Sequence, residues 1–304
     1  MICNNAVKER NLNIDFQGDK WVMVLEELGI ERKHRSWGEL FLFGVLYSSV
    51  GTLLSFWFFR NEPSLVMVFF TVLATIPLMY TTIKHEEREA ENIMSEKRIF
   101  KSHGKALGLY FALFMGMVVA MSLWYVFLPH AWSDSLFKSQ IDTISSINGG
   151  VTGNVIGADI FWSIVINNMQ VLVLCLFFSF FYGAGAIFIL AWNASGIAGA
   201  MGIFIRGKLA EAAQLIGWQK ASLYFGAFSI GLFRYMTHGV FESVAYFIAG
   251  LAGSIISIAV IRHDLYERKM KRVTRDVAAL MLVAIALIVL GSFVEVYVTP
   301  LLFS

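Results

Sequence analysis

Long apolar runs almost free of charge constrain this chain more than any other feature. Leu40 to Phe59 contains no charged residue, and about 20 such residues in a helix cross a hydrocarbon core of about 30 Å. Further runs of that kind cover roughly 64–83, 106–128, 161–182, 184–205, 239–261 and 277–298. Across 304 residues, 57% are hydrophobic and only 15% charged, with a mean hydropathy of +0.66. That is too little polar surface to cover a soluble globule of this size. The fold class expected is all-α: a polytopic helical membrane protein of about seven transmembrane helices. A formal charge of +2, with basic residues clustered beside apolar runs, argues against nucleic acid as a partner. Cys3 and Cys175 are the only cysteines, so neither a disulfide framework nor a cysteine metal site follows. The first 38 residues are polar, which makes a cleavable signal peptide unexpected.

Four segments follow in order. Residues 1–38 form a cytoplasmic N-terminal segment in which Trp21, Val22, Leu25 and Leu28 fall near helical spacing, suiting either a membrane-surface helix or a solvated tail. Residues 39–83 form a transmembrane hairpin that turns at Arg60-Asn61-Glu62-Pro63. Residues 84–105 are a densely charged cytoplasmic linker. Residues 106–304 hold five further spans, with an outward loop at 129–160. Residues 207–221 read as an interfacial amphipathic helix, and 222–236 are apolar but only about 22 Å long as a helix. If the linker and the basic 262–275 loop are both cytoplasmic, an even number of crossings separates them. Four spans already do so. The expectation is therefore an interfacial or re-entrant segment near 207–237, with the N-terminus cytoplasmic and the C-terminus outside the cell membrane.

That topology gathers the polar residues of the spans. Asn167 and Asn168 fall in the outer third of the fourth span, Asn193 near the middle of the fifth, and His238 and Glu242 at the outer head of the sixth. A helix continuing through Gly239 sets Arg234, His238 and Glu242 on one face. Such groups act either as interhelical glue, worth about 0.6–2 kcal/mol each, or as a functional cluster. Gly183, Gly185, Gly196, Gly199, Gly239, Gly250 and Gly253 supply the small-residue seams that let helices approach closely. No metal is expected, because His238 and Glu242 are two ligands where zinc takes at least three. Neither a nucleophile motif nor a phosphate-binding glycine loop is present. The chain reads as non-catalytic, without a cofactor.

The stretch Asn167-Asn168-Met169, the run from Tyr182-Gly183-Ala184-Gly185 to Trp192-Asn193-Ala194-Ser195-Gly196, and His238-Gly239-Val240-Phe241-Glu242 with the small residues at 247–253 resemble the stage II sporulation protein M family. The resemblance covers roughly 106–304 and leaves the N-terminal hairpin outside. It implies a five-helix membrane core whose N-terminal side is cytoplasmic. In spore-forming bacteria, members act in engulfment as a membrane scaffold joined to cell-wall hydrolases. A scaffold or assembly role in the bilayer, with membrane or cell-envelope protein partners, is the leading expectation. The small-residue seams suit a homodimer. The alternative is an ion or small-solute channel or transporter around Glu242, and an intramembrane metal enzyme ranks last. Glu295, near the outer end of the last span, reads as interfacial, and a lone carboxylate makes a weak ion path.

Overall fold

A computed structural model describes residues 36–59, 62–91, 96–149, 157–182, 185–211, 214, 216–261 and 267–303. The N-terminal amphipathic stretch and Gly183 lie outside the described residues. So do the side chains of the charged linker and of Gly185.

The described chain is helical. In order it forms α1 (Trp37–Phe58), α2 (Pro63–Glu91), α3 (Glu96–Phe127), α4 (His130–Leu136), α5 (Lys138–Gly149), α6 (Gly157–Tyr182), α7 (Gly185–Glu211), α8 (Gly217–Ile261) and α9 (Glu267–Phe293). A π-helical turn (Val294–Val298) and α10 (Thr299–Leu302) follow. Six of these helices are long and apolar enough to cross a membrane: α1, α3, α6, α7, α8 and the α9–α10 unit. The described apolar part of α2, Pro63–Leu78, is shorter, although its backbone helix runs 29 residues.

Helix α1 shows why lipid is the solvent. Its buried face is made of Leu40, Gly44, Ser48, Gly51, Thr52 and Ser55, while Leu42, Leu46, Leu53 and Trp57 are exposed. Large apolar side chains outside and small or hydroxylated ones inside is the pattern of helices whose association cannot rest on the hydrophobic effect. The buried hydroxyls donate to their own helix, Ser48 to the Gly44 carbonyl at 2.6 Å and Thr52 to that of Ser48 at 2.7 Å. At Gly44 and Gly116, α1 and α3 touch backbone to backbone. A methyl group on Gly44 would strike the Leu113 carbonyl, and one on Gly116 that of Phe41.

The described residues that follow α3 are held in place by one side chain. Arg206, late in α7, donates to the carbonyls of Tyr125 and Leu128, at 2.5 Å each, and to the Ser133 hydroxyl at 2.7 Å. The two carbonyls lie at the end of α3, where no following turn satisfies them. Another Arg206 nitrogen contact reaches His130 Nδ1 at 2.9 Å. One guanidinium thus seats α4 on the end of α3. Below it, Gln140 of α5 is buried between Ser64 of α2, which donates to it at 2.7 Å, and Ser195 of α7, which accepts from it at 2.9 Å.

Helix α8 differs from the sequence expectation. Residues 222–236 are not a separate interfacial or re-entrant segment: they continue through Gly239 into one helix of 45 residues. The stretch 207–221 is likewise divided between the end of α7 and the start of α8, with Gly217 turning the chain at φ +59°. No proline interrupts Gly217–Ile261, and isolated glycines do not stop a helix. The expectation rested on the shortness of 222–236 and on charge parity, and one over-long helix satisfies both. At 1.5 Å per residue, α8 is about 68 Å long, roughly twice the hydrocarbon thickness, so it leans or overhangs. Its first turns expose Trp218 and Phe225, and Tyr224 stacks on Phe127 at the end of α3. Four long helices (α3, α6, α7 and α8) still separate the linker from the 262–275 loop, so the parity is unchanged.

Two apolar clusters share α8. Met236 and Phe247 pack with Leu113, Ala194 and Met201, while Ala245, Tyr246 and Ala249 pack with Leu172, Cys175, Ala284 and Ile288. Replacing Gly44 or Gly116 with valine should destabilise the fold by about 1–3 kcal/mol, since a backbone must move. Alanine at Gly207, whose Cβ would meet nothing within 4 Å, should be neutral or slightly stabilising. Thermal unfolding in detergent, followed by circular dichroism, compares them.

Candidate functional site

Glu242 lies on α8 where α6 and α9 both approach it. Small residues make that approach possible: Ala245, Ala249 and Ala284 are fully buried around it. A Cβ on Gly291 of α9 would come within 3.4 Å of the Glu242 side chain and 3.5 Å of the His238 carbonyl. Glu242 is only 9% exposed.

Its partner on α6 is Asn168, whose Nδ2 donates to Glu242 Oε1 at 2.7 Å. The other end of the same amide is also engaged, since the Tyr246 hydroxyl donates to Asn168 Oδ1 at 3.0 Å. Tyr246 follows Glu242 by one turn and is 1% exposed. Tyrosine, amide and carboxylate therefore form a directed chain of hydrogen bonds. Asn168 is about 17 Å along the axis from the start of α6 and about 21 Å from its end. It stands near mid-helix rather than in the outer third, because α6 begins at Gly157.

Helix α9 supplies a second carboxylate. Glu295 follows Gly291 by one turn, on the face that meets α8, within the π-helical turn Val294–Val298. Its neighbours in the same helix include Ser292, which is fully buried. Glu295 stays partly exposed in the π-helical turn, so its expected place near the outer end of the last span stands, beside the face of α9 that packs on α8.

The other candidates are placed as follows. Asn167 is exposed on α6 and points away from its neighbour's partner. His238 has a buried Nδ1 without a hydrogen bond, and its ring is 6.4 Å from that of Tyr235. Arg234 lies over the Phe204 ring of α7 at 5.5 Å. Asn193 Nδ2 is buried without a partner and has no described bond to Glu242. Beside the glycines, Gly196 has open space around its Cβ position. Gly199 and Gly239 make ordinary contacts with Ile144 and Ile197, and Gly250 and Gly253 are buried. The tightest approach in α7 is at Gly202, against the Tyr125 ring. Among the described residues, no three His, Cys, Asp or Glu side chains converge as metal ligands.

Fold and site together define a polytopic helical membrane protein with a carboxylate, Glu242, buried where three helices meet. A family model described as stage II sporulation protein M matches residues 44–300, and the chain belongs to that family. The match takes in most of the α1–α2 hairpin, which carries none of the polar motifs and so lay outside the motif-based resemblance. No curated protein and no solved structure matches.

Replacing Asn168 with alanine should cost about 0.6–1.7 kcal/mol, the range for interhelical hydrogen bonds in a membrane. The same change at exposed Asn167 should cost nothing measurable. Unfolding of both variants in mixed micelles separates them.

Proposed function

We propose that the protein conducts or exchanges protons or small cations across the membrane, with Glu242 and Glu295 as the site that holds them in transit. The observation that carries this reading is Glu242, a carboxylate buried where α6, α8 and α9 meet and tied to an amide–phenol chain, with Glu295 partly exposed in the π-helical turn of the adjoining helix. A carboxylate buried among lipid-embedded helices, with a second one partly exposed on the neighbouring helix, does not stay charged without a proton or cation beside it. Packing alone gives no reason for such a pair. Leucine or alanine would close the same helices without the electrostatic penalty.

The sequence reading ranked a scaffold first because a lone carboxylate makes a weak path. The second carboxylate removes that ground. His238, one turn before Glu242 with an unengaged Nδ1, adds a group able to accept a proton on the same helix. The protein carries no catalytic step in this reading. The bilayer is its working partner, with the N-terminus cytoplasmic and the C-terminus outside, and a homodimer would duplicate the pathway.

The test uses purified protein in liposomes loaded with a pH-sensitive dye. After an acid jump outside, wild type should acidify the lumen. Glu242→Gln and Glu295→Gln, confirmed as folded by gel filtration, should do so about tenfold more slowly or worse, a barrier difference of about 1.4 kcal/mol or more. Flux that neither substitution changes contradicts the proposal, and absence of flux across a panel of cations returns the scaffold to first place.

A further inference from the structure

The geometry points to a site that takes a proton and turns away metal cations, with Tyr246 setting that selectivity by fixing which face of the Asn168 amide meets Glu242. This deepens the reading above and rests on it. An asparagine side chain has a donor end and an acceptor end. Here the acceptor end, Oδ1, is occupied by the Tyr246 hydroxyl at 3.0 Å, so the donor end meets Glu242 Oε1, at 2.7 Å. Hard cations are bound by several oxygens at once. The amide beside the carboxylate instead presents N–H, whose positive end repels a cation. Among the described residues, no third acidic or histidine ligand completes a shell.

A proton needs far less. Binding it is one transfer: a carboxylate oxygen lone pair takes H⁺ from hydronium and leaves water. Two further observations fit a mobile proton. Ser292, one turn before Glu295 on the same face of α9, is completely buried with its hydroxyl unpartnered, and His238 Nδ1 is buried and unpartnered as well. These are polar groups with unused hydrogen-bonding capacity on the residues that flank the pair.

Tyr246 touches the amide rather than the carboxylates, so it is a positioning residue. It is packed among Ala245, Ala249 and Leu172. In Tyr246→Phe the amide loses the contact that orients it. The N–H bond to Glu242 is then the remaining orienting contact, and a sodium ion that displaces it turns Oδ1 toward Glu242 as a neutral oxygen ligand.

The experiment measures acid-driven proton uptake in the same liposomes with sodium chloride or choline chloride outside. Wild type should be indifferent to the exchange. Tyr246→Phe should be slowed several-fold by sodium and should itself take up radioactive sodium. Slowing of wild type by sodium overturns the inference, whatever the variant does, and so does a folded Tyr246→Phe that stays indifferent. If wild type takes up no protons in either salt, the underlying reading of the site falls, an outcome distinct from either of those.

Discussion

The burial of Glu242 among three helices is the constraint on which the rest of the site depends. Away from water, a carboxylate needs hydrogen bonds and a balancing charge, and each demand fixes a neighbour. The hydrogen bond comes from Asn168 and holds α6 in register with α8. The approach of α9 requires glycine at 291, where any larger side chain would press on Glu242 and Phe241. Tyr246 then donates to the oxygen end of the amide, so both ends of Asn168 are engaged.

Helix α8 links this cluster to the remaining bundle. One of its faces packs into the core shared with α1, α3 and α7, the other into the core shared with α6 and α9. A shift of α8 along its axis would alter both. The first core is anchored by backbone contact at Gly44 and Gly116 and by the Arg206 tie across the end of α3. These features make α1, α3, α4 and α7 a well-braced half, against which the glutamates sit on the other side of α8.

Much of this was legible in the sequence, because a membrane span announces itself by length and lack of charge. The same pattern marked Asn168 and Glu242, since a polar residue in such a run stands out. Orientation around the helix was not legible. Asn167 and Asn168 are neighbours in sequence, yet one faces outward and the other is buried, a difference that only the packing of α6 against α8 decides. The π-helical turn that carries Glu295 was not legible either, because a change from α to π backbone bonding leaves no mark in hydropathy. Arg206 was missed because two of its partners are backbone carbonyls, which leave no mark in the sequence, and its side-chain partners Ser133 and His130 are more than 70 residues away in the chain. The continuous α8 was missed because hydropathy reports what lipid tolerates, while helix length follows from backbone hydrogen bonding.

The central claim is that Glu242 and Glu295 share one positive charge between them. Infrared spectroscopy of the protein in lipid nanodiscs addresses it directly, since a protonated carboxyl group absorbs apart from a carboxylate and shifts in deuterium oxide. At neutral pH, wild type should show such a band and the Glu242→Gln/Glu295→Gln double variant should lack it. A wild-type spectrum without the band in sodium-free buffer, or a band that persists in the double variant, would contradict the account.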